Sequence, residues 1–213
     1  MKITKIEQQI KDKTRYNIYL DGEFAFGLYD TSLLEFQISS GDELDEKKLE
    51  EIRTFDEFLY GKRVAYNYLA YKPRTEKEVR SKLRFKKISE NSTNRVIEDL
   101  QRLKFLDDSK YAKNYVEMKS QQKGMGRNML FMKMMQKGLK KESIEETLKE
   151  NFSTENEISS GVNLLRKYAK KNHLNTKDEL RNKAFKYMFS RGYGFDVIET
   201  IMKYYLEEME GEK

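Results

Sequence analysis

Two short corners, at Lys137-Gly138-Leu139 and Arg191-Gly192-Tyr193, constrain this chain more than any other feature. Each follows an amphipathic stretch, and each is followed by an isoleucine six residues after its glycine, Ile144 and Ile198. A glycine at such a point ends a helix in the left-handed conformation, so the pattern predicts helix, corner, helix, recurring every 54 residues. A looser copy stands upstream at Lys86-Lys87-Ile88, with Lys87 where glycine is expected and a longer loop, residues 89–94, after it. A leading helix precedes each pair. Units of three helices this small cannot bury their apolar faces alone, so neighbours stack. Pro73 is the only proline in the chain, consistent with nearly continuous helix from Asp45 onward.

Helix starts are marked by three expected capping boxes, Thr75 with Glu78, Thr154 with Glu157 and Thr176 with Glu179. Asp107-Asp108 reads as a cap rather than a metal pair. Val79 and Leu83 share a buried face; Val96, Ile97, Leu100 and Leu103, then Tyr111, Ala112, Tyr115 and Val116, continue the pattern. Gly61 is a candidate break in the helix before Pro73, and Gly124-Met125-Gly126-Arg127 is expected to be a flexible one. Residues 1–29 read differently. Tyr16, Ile18 and Leu20 alternate, Asp21-Gly22 is a hairpin turn, and Phe24, Phe26 and Leu28 alternate on the return strand. With a strand near Ile3 to Ile10 they make a small antiparallel sheet with one apolar face. A short helix near Thr31 to Phe36 follows, and the acidic tail from Glu207 is expected to fray. The expected fold is mainly α: three tandem three-helix repeats in an elongated curved array, preceded by a small N-terminal antiparallel β-sheet. The expected divisions are 1–59, 60–107, 108–153 and 154–213.

Charge is distributed unevenly. The net +6 divides into −6 over residues 1–59, +14 over 60–141 and −2 over 142–213. Such an electropositive middle suits a polyanion or an acidic protein groove. On the helix that Thr75 opens, Lys77, Arg80, Arg84 and Lys87 form a row, with Arg74 before it. Arg127, Lys133, Lys137, Lys140 and Lys141 are its expected continuation. Tyr66, Tyr68 and Tyr71 lie near; they read as packed aromatic faces, with base stacking the alternative. Met125, Met129, Met132, Met134 and Met135 read as core filling, although five methionines at those spacings cannot all face inward.

Catalytic and cofactor chemistry find little support. There is no cysteine, and the one histidine, His173, lies in a polar stretch without partners for catalysis or metal binding. Gly124-Met125-Gly126 lacks the strand and the Lys-Ser/Thr of a phosphate loop. No run approaches a membrane span, and Met1-Lys2-Ile3-Thr4-Lys5 lacks a signal-peptide core, so a cytoplasmic location is expected.

Several of these motifs together carry a resemblance: Arg74-Thr75-Glu76-Lys77-Glu78-Val79 with Lys82-Leu83, Leu106-Asp107-Asp108 with Tyr111-Ala112, Gly126-Arg127 before Leu130, and the two glycine corners. In order and spacing, from about residue 60 to 206, they resemble the RecX family of regulatory proteins, and the N-terminal sheet resembles the extension found in Gram-positive members. The resemblance implies three tandem three-helix repeats and a partner, the RecA recombinase filament on single-stranded DNA. It implies inhibition of strand exchange, ATP hydrolysis and co-protease activity by a monomer without catalysis or cofactor, in recombinational DNA repair and the SOS response. The residues alone also admit a helix-turn-helix protein that binds DNA directly, or a repeat scaffold for another partner.

Overall fold

The computed structural model describes residues 1–120, 124–174 and 177–211. The chain divides into two compact units, Met1–Arg74 with Val79–Leu106, and Thr75–Glu78 with the chain from Asp107 onward. It is mainly helical, with a three-stranded antiparallel sheet at its N-terminal end.

In the first unit, β1 (Ile3–Gln8), β2 (Arg15–Leu20) and β3 (Glu23–Tyr29) pair in that order. The hairpin turn falls at Asp21-Gly22, both with positive φ. Ile3, Ile18, Leu20 and Leu28 are buried, as the alternation predicts. Phe24 is not: it is 60% exposed. The cause is a bulge. Ile18 pairs with Phe26 but Tyr19 with Phe24, so Ala25 is an extra residue and the side chains beyond it change faces.

α1 (Asp30–Glu35) leads to α2 (Glu46–Leu69), which runs unbroken through Gly61. Gly61 is there for packing rather than for a break: a β-carbon on it would lie 3.0 Å from Val96 of the helix alongside. Asp56, on α2, ties helix to sheet. It is buried and accepts hydrogen bonds from the Tyr29 amide and the Ser32 hydroxyl, both at 2.7 Å, with Arg15 at 3.6 Å.

The end of α2 joins α3 (Glu76–Phe85) and α4 (Glu90–Arg102) around a core of Ala65, Val79, Leu83, Val96, Ile97 and Leu100. In the second unit, α5 (Asp108–Ser120), α6 (Arg127–Gln136) and α7 (Lys141–Asn151) enclose Ala112, Val116, Leu130, Met134, Ile144 and Leu148. A third group is built from α8 (Thr154–Lys171), a middle helix and α11 (Phe195–Gly211). The middle helix starts as α9 (Lys177–Glu179), passes through a π-helical turn (Leu180–Ala184) and continues as α10 (Phe185–Ser190). α11 extends the acidic tail as helix to Gly211 rather than fraying at Glu207.

All three middle helices end alike. Ile88, Leu139 and Tyr193 each donate to the carbonyl five residues back, Leu83, Met134 and Met188, and are themselves buried. Lys87, Gly138 and Gly192 precede them with φ of 59°, 87° and 84°. This is the Schellman termination, and Lys87 adopts it despite its side chain, at a cost of about 1 kcal/mol. His173, φ 53°, is the residue of the same kind after α8 and is exposed.

Candidate functional site

The predicted cations do not form one set. Thr75 and Glu78 make the expected capping box, with the Thr75 amide donating to Glu78 at 3.0 Å and the Glu78 amide to Thr75 Oγ1 at 3.3 Å. The helix it starts ends at Phe85, so Lys87 lies in the corner beyond and the row on α3 itself is Lys77, Arg80 and Arg84. Lys77 Nζ donates to the Gln136 carbonyl at 3.0 Å, and its stem lies where a β-carbon on Gly138 would come within 2.5 Å. Arg80 donates to Asn94 at 2.7 Å. Arg74 lies 4.1 Å from the Tyr68 ring.

Further along, Lys137 pairs with Glu78 at 3.2 Å and lies 5.4 Å from the Tyr111 ring. Partial burial works against its charge, but the bonds to Tyr111 and Glu78 outweigh it and hold the ammonium above the usual lysine range. Arg127 is half-buried, with its guanidinium 3.4 Å from the Leu148 carbonyl. Lys141 makes an exposed pair with Glu145 at 3.7 Å, of little energetic weight. Arg84 and Lys87 in the first unit, and Lys133 and Lys140 in the second, have no ion-pair partner among the described residues. Four of the ten predicted cations therefore present uncommitted charge.

Around Lys77, Lys137 and Arg127 runs a bonding scheme that occurs twice within the second unit, and sequence reasoning missed it. The Glu76 amide, at the start of α3, donates to Asp108 Oδ1 at 2.9 Å. The Arg127 amide, at the start of α6, donates to Glu157 Oε1 at 2.7 Å. In each case a carboxylate from the first turn of a leading helix, α5 or α8, satisfies an orphan amide of an earlier middle helix. Each of those helix starts also binds the carbonyl before a corner glycine. Thr75 Oγ1 donates to Lys137 O at 2.7 Å, and the Gly126 amide to Arg191 O at 2.9 Å. Burial pushes both carboxyls, Asp108 and Glu157, above the usual carboxylate range.

Three expectations change as a result. Gly124 to Gly126 is not a flexible break but a buried seam, with Gly126 against the backbone of Gly192 and Tyr193. Ser153, not Thr154, caps α8, accepting from the Asn156 amide, and Glu157 is engaged at α6. Asp107 caps its own helix through the Lys110 amide at 2.8 Å, while Asp108 caps another. The expected pair Thr176 and Glu179 includes a residue outside those described. Of the methionines, Met134 is fully buried, while Met132 and Met135 are exposed.

The remaining cation of α3 lies on its other flank. At 100° per residue, Lys82 projects on the opposite side of the Val79–Leu83 stripe from Arg80 and Arg84, and Lys86 follows in the turn just past the helix. There they face the end of α2. Lys82 lies 5.5 Å from the Tyr68 ring and 5.9 Å from that of Phe85. The helical wheel alone contained this division.

Comparison with known proteins agrees with the architecture. The chain matches the Regulatory protein RecX N-terminal domain over residues 1–45, the RecX first three-helix domain over 62–100 and the RecX second three-helix domain over 107–148. A Regulatory protein RecX from Clostridium botulinum (strain Eklund 17B / Type B) is 34% identical over 206 residues, covering 95% of each chain. One from Bacillus subtilis (strain 168) is 34% identical over 200 residues, covering 94% of this chain and 75% of that one. A crystal structure of regulatory protein RecX superposes with a TM-score of 0.76 at 30% identity, covering 95% of this chain and 98% of that one.

Proposed function

Because the chain belongs to the RecX family of regulatory proteins, we propose that it binds the RecA recombinase filament on single-stranded DNA and inhibits its activity, without catalysis of its own. The supporting observation is the division of cations just described. Lys77, Lys137 and Arg127 are engaged within the fold, whereas Arg84 on α3, Lys87 in the corner after it, Lys133 on α6 and Lys140 just before α7 offer charge without an ion-pair partner among the described residues. Such cations suit a groove lined with phosphate or carboxylate. Occupancy of that groove blocks productive exchange sterically and electrostatically. In this reading residues 1–59, 60–107, 108–153 and 154–213 are successive segments of one monomer acting in the cytoplasm. Among the described residues, no helix is long and apolar enough to cross a membrane.

The test is ATP hydrolysis by a RecA–single-stranded DNA filament titrated with this protein. Hydrolysis falls as the protein is added. Reversing Arg84, Lys87, Lys133 and Lys140 to glutamate raises the concentration needed, while circular dichroism is unchanged. Undiminished inhibition by that variant would remove the site assignment; absence of any effect of the wild-type protein would remove the function.

A further inference from the structure

The first unit carries a second basic surface, and its chemistry differs from that of the row on α3. Between the end of α2 and α3 lies a groove of about 320 Å³ whose lining includes Arg63, Tyr68, Tyr71, Lys82 and Lys86 and no carboxylate. The groove beside α10 and α11, about 710 Å³, is lined instead by Glu199, Glu207 and Glu210 among others. Asp12 is the acidic group closest in role: it pairs with Arg63 at 2.7 Å from outside the lining.

The three nearby tyrosines have separate fates. Tyr66 packs edge-on against Phe105 at 5.3 Å and is structural. Tyr68 is half-buried with Arg74 at 4.1 Å and Lys82 at 5.5 Å, so its ring is fixed between cations. Tyr71 is 87% exposed; Phe85, outside the lining and three residues on from Lys82, is 78% exposed. An open ring beside cations is a surface on which a base can stack while the cations meet phosphate. A ligand that fits is anionic, to match Lys82 and Lys86 in a lining that holds no carboxylate, and planar, to match the open ring face of Tyr71. A protein acidic segment meets the first requirement only.

We propose that this groove binds single-stranded nucleic acid, with a base stacked on Tyr71 and phosphates at Lys82 and Lys86. The proposal rests on the filament reading for bringing single-stranded DNA within reach of the protein. Stacking on an exposed ring tolerates any base, and the cations of the groove track the backbone. Duplex DNA is excluded as the preferred ligand because its bases are already stacked.

The experiment is fluorescence anisotropy of a labelled oligothymidylate with the full chain, over a range of salt concentrations. Tyr71→Ala weakens binding about tenfold, as loss of one stacked base requires, and Tyr71→Phe restores it. The double variant Lys82→Gln, Lys86→Gln lowers the slope of log affinity against log salt by about 1.4. Since Tyr71 is exposed, unaltered circular dichroism is expected for each variant. Equal binding by Tyr71→Ala and wild type overturns the proposal, as does equal affinity for a duplex or for an acidic peptide. Parallel measurement of RecA ATPase separates the two readings. Inhibition without binding to free oligothymidylate refutes this groove and spares the filament role; binding without inhibition does the reverse.

Discussion

Replacing Gly126 by alanine tests the buried seam directly. Gly126 has φ −82° and ψ 167°, open to any residue, so the substitution carries no backbone penalty of its own. The new β-carbon, however, would lie 2.5 Å from the carbonyl carbon and oxygen of Gly192, and against the Tyr193 amide. Favourable contact needs about 3.5 Å, and the neighbours are backbone, which cannot rotate away. The start of α6 must therefore lift by about 1 Å. That movement breaks the bonds from Gly126 to Arg191 O, from Asn128 to Gly192 O and from Arg127 to Glu157, all 2.9 Å or shorter. At about 1 kcal/mol for each buried bond, the loss is about 3 kcal/mol. Gly194→Ala is the control, because a β-carbon there meets nothing within 4 Å. Urea unfolding followed by circular dichroism measures both. If Gly126→Ala falls within about 0.5 kcal/mol of Gly194→Ala, the seam is not the tight backbone contact described.

Other expectations follow from named contacts. Asp56→Ala leaves the buried Tyr29 amide and Ser32 hydroxyl without an acceptor and lowers stability by about 3 kcal/mol in the same assay. Lys87→Gly relieves left-handed strain and gives back part of it as backbone entropy, for a net gain of about 0.5 kcal/mol; a loss would show that the lysine itself supports the corner. Glu157, raised by burial, binds its proton more tightly in the folded than in the unfolded chain. Its contribution to stability is therefore fully present below the unfolded value of 4.5 and is lost as pH rises through the folded value. Glu157→Gln removes that decline, so urea midpoints for the variant vary less with pH above 4.5 than those of wild type.

How much was legible in the sequence depends on the range of each interaction. The corners at Gly138 and Gly192, the Asp21-Gly22 hairpin and the box at Thr75 are set by residues within a few positions of one another, and all were readable. Lys87 shows the limit of a residue-type rule. Its backbone is held left-handed by the Ile88 bond to Leu83 and by burial of Ile88, which no glycine was needed to announce. The bulge at Ala25 is a matter of pairing register, so alternation alone placed Phe24 on the wrong face. Asp108 and Glu157 were read as local caps because both sit at helix starts. Their partners lie 32 and 30 residues back, a distance that pattern reading does not span. The same reach explains Lys77 and Lys137, which look like free surface charge until the corner at Gly138 is folded against them.

The π-helical turn in the third group bears on how such a unit can change length. Leu180, Ala184 and Met188 are all buried, four residues apart each time. On a uniform α-helix two such steps would swing the last side chain about 80° away from the first. A wider turn takes up that drift and keeps the three on a common bearing, so a surplus residue is stored inside the helix rather than expelled as a loop. Insertions and deletions at this point can thus be absorbed by winding and unwinding one turn, leaving the corner at Gly192 where its neighbours require it.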